Sequence, residues 1–177
     1  FKYNHEVIEM SSISIFPCSL TNGDKIVEEL HANLQLDIYT DRQLFEDTKK
    51  KFGVETEELE KLMYRKTSVF NKFTLEKEKA ASKFRIVLAN KIAGPAHNLF
   101  YGLHSLLIPK EVTEVLRVLV VDTIQARIER GVSNGLDKNM AKREVKQHDI
   151  SAFSWSDFLF NEEPYQRSLY DLVIPVN

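Results

Sequence analysis

The sequence predicts an α/β domain built on a mainly parallel, five-stranded sheet flanked by helices. Three observations carry this. Short apolar runs alternate with helix-period segments, the order expected when crossover helices cover a sheet. One run, Val115–Val121 (VLRVLVV), is dense in Val and Leu and stops at Asp122 and Thr123. The 177 residues are 43% hydrophobic, enough for one sizeable core and, at this length, one domain over residues 1–177.

Ser12–Phe16 (SISIF) is the first strand, and a loop from Pro17 to Gly23 leads to a helix over Asp24–Leu34, where Ile26, Val27, Leu30 and Leu34 share a face. Leu36–Tyr39 is the second strand. Thr40 or Asp41 caps a helix over Arg42–Phe52, and Gly53 stops it. Residues 55–83 are charged and helix-prone with few apolar anchors, which predicts mobile helices on the surface or projecting from it. Phe84–Ala89 (FRIVLA) is the third strand candidate, and Gly94–Leu107 has no single reading. After the fourth strand, Val115–Val121, Asp122 and Thr123 can both cap a helix over Ile124–Gly131 that carries Arg127 and Arg130 on neighbouring parts of one face. Val132–Gly135 is a loop. Leu136, Asp137 and Ala141 are spaced as a hydrophobic staple around an Asp cap, opening a helix that runs to about Phe160. Tyr170–Val176 closes the sheet, with Pro175 favouring a strand end or an edge.

Lys and Arg total 24 against 26 Asp and Glu, a net charge of −2, which supplies no global field for nucleic acid or an anionic membrane. A single cysteine, Cys18, rules out an internal disulfide and fits a reducing, cytoplasmic setting. No apolar run is long enough to span a bilayer, and Phe1–Met10 is too charged for a secretory signal. The lack of Met at position 1 and the ending on Leu172–Val176 are expected of a fragment of a longer chain.

Ile13–Phe16, the loop and helix PCSLTNGDKIVEEL, the segment Leu116–Arg130 with its Arg-x-x-Arg pair, the capped helix Gly135–Asp149 and the closing Tyr170–Ile174 follow one another in an order that resembles the cytidylate-kinase-like branch of P-loop nucleoside-monophosphate kinases. The resemblance implies a three-layer P-loop kinase-like fold. It also implies a glycine-rich loop after the first strand, a glycine- and arginine-bearing turn after the third, and a lid arginine a few residues past the position of Asp149. Here the chain departs. The family's GSGG becomes Leu20, Thr21, Asn22 and Gly23, Pro17 removes an N–H from the loop, and Asp24 adds an anion at the helix start. Ala89, Asn90 and Lys91 stand at the turn expected after the third strand, and Ile150–Phe153 hold no arginine. Arg127 and Arg130 keep the expected type.

These departures predict a pseudoenzyme with a degenerate Walker A loop, kinase-derived and non-catalytic, with a regulatory, scaffolding or ligand-sensing role. No catalytic residue and no cofactor is assigned. If a nucleotide or another small anion still binds, Thr21, Asn22, Gly23, Lys25, Arg127 and Arg130 are the candidates. ATP and Mg²⁺ are expected only under the alternative of an active cytidylate-type kinase. A third alternative is an interaction domain that ignores nucleotide and meets a protein partner or a second copy through residues 55–83 and the aromatic helix end. The five histidines, His5, His31, His97, His104 and His148, lack zinc-site spacing, so no metal is expected. His148 and Asp149 are adjacent on a helix and should diverge as a surface pair. Cys18 reads as a small buried filler, and Phe153, Trp155, Phe158 and Phe160 as a stripe that closes a core.

Overall fold

The computed structural model describes residues 12–64 and 71–176, with side chains in the second stretch from residue 75. His5 and residues 65–70 of the charged segment lie outside the described residues. The elements in order are β1 (Ser12–Pro17), α1 (Gly23–Leu34), β2 (Asp37–Thr40), α2 (Asp41–Phe52), α3 (Thr56–Tyr64), α4 (Asn71–Ile92), β3 (Asn98–Tyr101), β4 (Val115–Val121), α5 (Ile124–Ser133), α6 (Lys138–Phe160) and β5 (Leu172–Pro175). Short 3-10 turns occupy Leu103–Leu107 and Arg167–Leu169.

All strand pairs are parallel and the sheet order is β2-β3-β1-β4-β5. Alternation along β1 sends Ile13 and Ile15 to one face and Phe16 to the other. The first face is covered by α1 through Val27, Ile26 and Leu30. The second receives the larger core, in which Leu44 and Phe45 of α2, Leu59 and Met63 of α3, Phe84 of α4 and Trp155 of α6 are buried. Helices thus lie on both sides of a buried parallel sheet.

Several local signals act where the sequence places them. Thr123 accepts from Ala126 N at the start of α5, and Asp137 accepts from Asn139 N and Met140 N at the start of α6. Gly53 ends α2 at φ 69° and donates to Lys49 O. Pro175 lies at the end of β5, the edge strand.

The third strand is elsewhere. Phe84–Ala89 belongs to α4, and β3 is Asn98–Tyr101 inside the stretch that had no single reading. Ala80, Ala81, Phe84, Val87 and Leu88 are buried while Ile86 is 46% exposed, a helical rather than an alternating pattern. Nor do the charged helices project from the surface. Leu59, Leu62 and Met63 of α3 and the apolar side of α4 enter the main core. Even Lys77 is buried: its ammonium donates to Ser154 O at 2.6 Å and lies 4.5 Å from the Trp155 ring centroid. Burial pushes this amine down to about 8.

Candidate functional site

A parallel sheet in this order has its switch point between β1 and β3, where the connection from β1 leads away to β2 and that from β3 leads the other way to β4. The loop Cys18–Asn22 lies there, past the carboxyl end of β1. Leu20 and Asn22 adopt left-handed φ values of 59° and 57°, so the backbone makes turns that glycine adopts without strain. The Leu20 side chain packs against Ile128, Ala141 and Val145, between α5 and α6. Thr21 is buried and donates from Oγ1 to Cys18 O at 2.7 Å. Gly23 opens α1, with the Tyr101 hydroxyl so near that a Cβ there would stand 2.7 Å from it. Lys25 is exposed on α1.

Arg127 and Arg130 both reach the loop, and both grip its carbonyl groups. Arg127, 1% exposed, donates from Nε to Ser19 O (2.9 Å), from Nη2 to Ser19 Oγ (2.8 Å) and through Nη1 and Nη2 to the Asp149 carboxylate (3.1 and 2.8 Å). Arg130 donates to Leu20 O at 2.7 Å and to Asp122 Oδ2 at 2.6 Å. Asp149 also accepts from the Tyr165 hydroxyl at 2.5 Å. Burial works to raise the Asp149 carboxyl, but the His148 ring at 3.6 Å and the hydrogen bonds from Arg127 and Tyr165 outweigh it, holding the group well below the usual carboxylate range.

His148 and Asp149 therefore do not diverge toward solvent as a surface pair. Both side chains are mostly buried, and the imidazole stacks on Phe16 at 5.8 Å. Cys18 is the expected filler: it is 2% exposed, and burial pushes its thiol up.

The loop borders a cleft of about 350 Å³ whose wall includes Asp24, Asp41, Tyr64, Tyr101, Glu144 and His148. Three carboxylates line it. Among the described residues, no lysine or arginine does. Asp41, at the start of α2, accepts from Tyr64 Oη (2.6 Å), Leu103 N (3.0 Å), His104 N (2.8 Å) and His104 Nδ1 (2.5 Å). Burial opposes its charge, but the facing His104 and these donors keep the carboxyl below its ordinary range. The turn after β3 is thus Gly102–Leu103, not Ala89–Lys91: the glycine is present, and a leucine follows it. Gly102 sits at φ 136°, and a Cβ there would come within 2.6 Å of the Asp41 carboxylate, so no other residue fits without displacing it.

The far wall is tied down as well. On α6, Gln147 Nε2 and Ser151 Oγ donate to Tyr64 O, and Trp155 Nε1 donates to Met63 O, so three α6 side chains cap the last carbonyls of α3. Trp155 is core, as expected of the aromatic stripe, whereas Phe153 is 41% exposed. Asp41, Tyr64, Glu144 and Asp149 are the site residues that sequence reasoning missed. Among the described residues, no cluster of His, Cys, Asp and Glu is arranged to hold a metal ion.

A β2-β3-β1-β4-β5 parallel sheet with a strand–loop–helix at its switch point defines an α/β protein with the fold of the P-loop kinases. The chain belongs to the cytidylate kinase-like family, whose model matches residues 13–177. A solved uncharacterized protein from Eubacterium ventriosum ATCC 27560 is similar over 93% of this chain and 88% of its own, with a TM-score of 0.67 and 14% identity. Shikimate kinase from Bacteroides thetaiotaomicron is similar over 93% of this chain and 86% of its own, with a TM-score of 0.53 and 8% identity. At such identities the likeness shows the fold alone. No curated protein sequence matches the chain.

Proposed function

We propose that this chain is a kinase-derived domain with a degenerate phosphate loop, which does not transfer phosphate and works as a ligand-sensing, regulatory or scaffolding module. One observation carries the reading: the loop's two arginines are bound to its own carbonyls and to Asp149 and Asp122, while the cleft in front of it carries Asp24, Asp41 and Glu144. Phosphoryl transfer depends on positive groups that neutralise charge as it spreads over the transferred oxygens. A cleft lined by carboxylates repels a triphosphate instead, so these residues do not fit MgATP. The anchoring of α6 to the end of α3 further supports the reading, because a lid that closes over substrate must be free to move.

The second reading, an active cytidylate-type kinase, draws on the loop's backbone. Its left-handed turns at Leu20 and Asn22 and the α1 N-terminus at Gly23 are features a phosphate could use, with Thr21, Lys25 and a released Arg127 as helpers. A coupled assay with ATP, Mg²⁺ and each nucleoside monophosphate separates the two. No turnover is expected, and rates of about 1–100 per second would establish the kinase.

A further inference from the structure

The loop cleft lies past the carboxyl ends of the strands. A second cavity, about 220 Å³ in volume, lies toward the opposite end of the same sheet. It is bordered by Ser14 and Phe16 of β1, by Lys110 and Arg117 at the entry to β4, and by Leu169 and Tyr170 just ahead of β5. Its remaining walls include Leu106, Ile108 and Phe160. An apolar cavity of roughly 150 Å³ is already enough for a benzene ring.

One polar group in this wall has spare capacity. Arg117 forms a two-pronged pair with Asp171, Nε to Oδ2 at 3.1 Å and Nη2 to Oδ1 at 2.7 Å. Among the described residues, its third nitrogen, Nη1, is buried without a hydrogen-bond partner. A buried donor left unpaired is costly, and an acceptor that meets it after a small turn of the guanidinium toward the cavity recovers that loss. Asp171 already compensates the guanidinium charge, and the mouth carries Glu111 and Glu162 beside Lys110, so the site has no excess positive charge to favour an anion.

We propose that this cavity is a second ligand site, for a small neutral molecule with a ring-sized apolar body and one hydrogen-bond acceptor, such as a carbonyl oxygen, directed at Arg117 Nη1. The site is independent of what the loop cleft binds.

Acetophenone is a suitable probe and isopropylbenzene its hydrocarbon counterpart. Ligand-observed NMR titration of the full chain should show saturable one-to-one binding of acetophenone, about tenfold tighter than the hydrocarbon, the margin of one hydrogen bond to a charged group. Ser14→Leu, which fills the cavity from β1, should abolish binding. Arg117→Met should keep the hydrocarbon and remove the ketone's advantage. No saturable binding, undiminished binding in Ser14→Leu, or equal affinity for the two probes would overturn the proposal. If Ser14→Leu does not fold, the comparison between the two probes in Arg117→Met decides alone.

Discussion

Arg127 and Arg117 each pair with an aspartate on the same side of the sheet, one beneath the loop and one toward the far end. The pairs differ in what remains. Arg127 shares its donors among Ser19 O, Ser19 Oγ and Asp149, and its partner is further held by Tyr165. Arg117 faces an aspartate whose side chain is 39% exposed and, among the described residues, leaves Nη1 unpaired. The residue in the position expected to meet phosphate is bound into the scaffold, while the one with donor capacity borders a mostly apolar cavity. Phe16 stands between the two ends, lining that cavity and stacking on His148, which borders the loop cleft. A cation near a cleft is therefore no guide to anion binding until its hydrogen bonds have been traced.

The contrast can be broken by removing each arginine in turn. Arg127→Met strands a buried carboxylate and a loop carbonyl, and should cost about 3–5 kcal/mol of unfolding free energy in a urea titration, enough to put the fold itself at risk. A loss no greater than that of an exposed pair would mean that the loop is not held from below.

Acid titration sharpens the same point. Asp149 has a folded value well below that of the unfolded chain, about 3.9, so its stabilisation is complete above that pH and is lost progressively as pH falls beneath it. The melting temperature of the native chain should drop steeply below about pH 4, and Arg127→Met should show a shallower acid limb. The smallest effect belongs to Arg117→Met, at about 1 kcal/mol or less, because Asp171 keeps its access to water.

Elements whose signals are local were legible before the structure. β4 and α6 have the predicted extents, and α5 runs only two residues past its predicted end, because caps at Thr123 and Asp137 act within one turn of the residues they satisfy. β3 was not. Its four residues, NLFY, are held between β2 and β1 by partners from distant parts of the chain, and nothing local distinguishes them. FRIVLA drew the strand assignment because it is short and apolar, although the burial of Ala80, Ala81, Phe84 and Val87 follows a helical period that extends beyond it.

The site divides in the same way. Arg127 and Arg130 could be placed beside the loop from their position after β4. Which way their donors face is set by Ser19 O, Leu20 O and Asp149, which only the folded chain brings to them. Asp41, Tyr64 and Glu144 reach the cleft from three different helices, so no spacing in the sequence joins them.

Leu20 and Gly131 constrain each other's future. A side chain at 131 would put its Cβ 2.8 Å from Leu20 Cδ1 and 3.0 Å from Ala141 Cβ, so it would press on both the loop's leucine and α6. Glycine at 20 alone relaxes the left-handed backbone, yet leaves a hole where the leucine rests against Ile128, Ala141 and Val145. Glycine at 20 thus trades backbone strain against packing, and a glycine-rich form of this loop is reached only through the packing of α5 against α6.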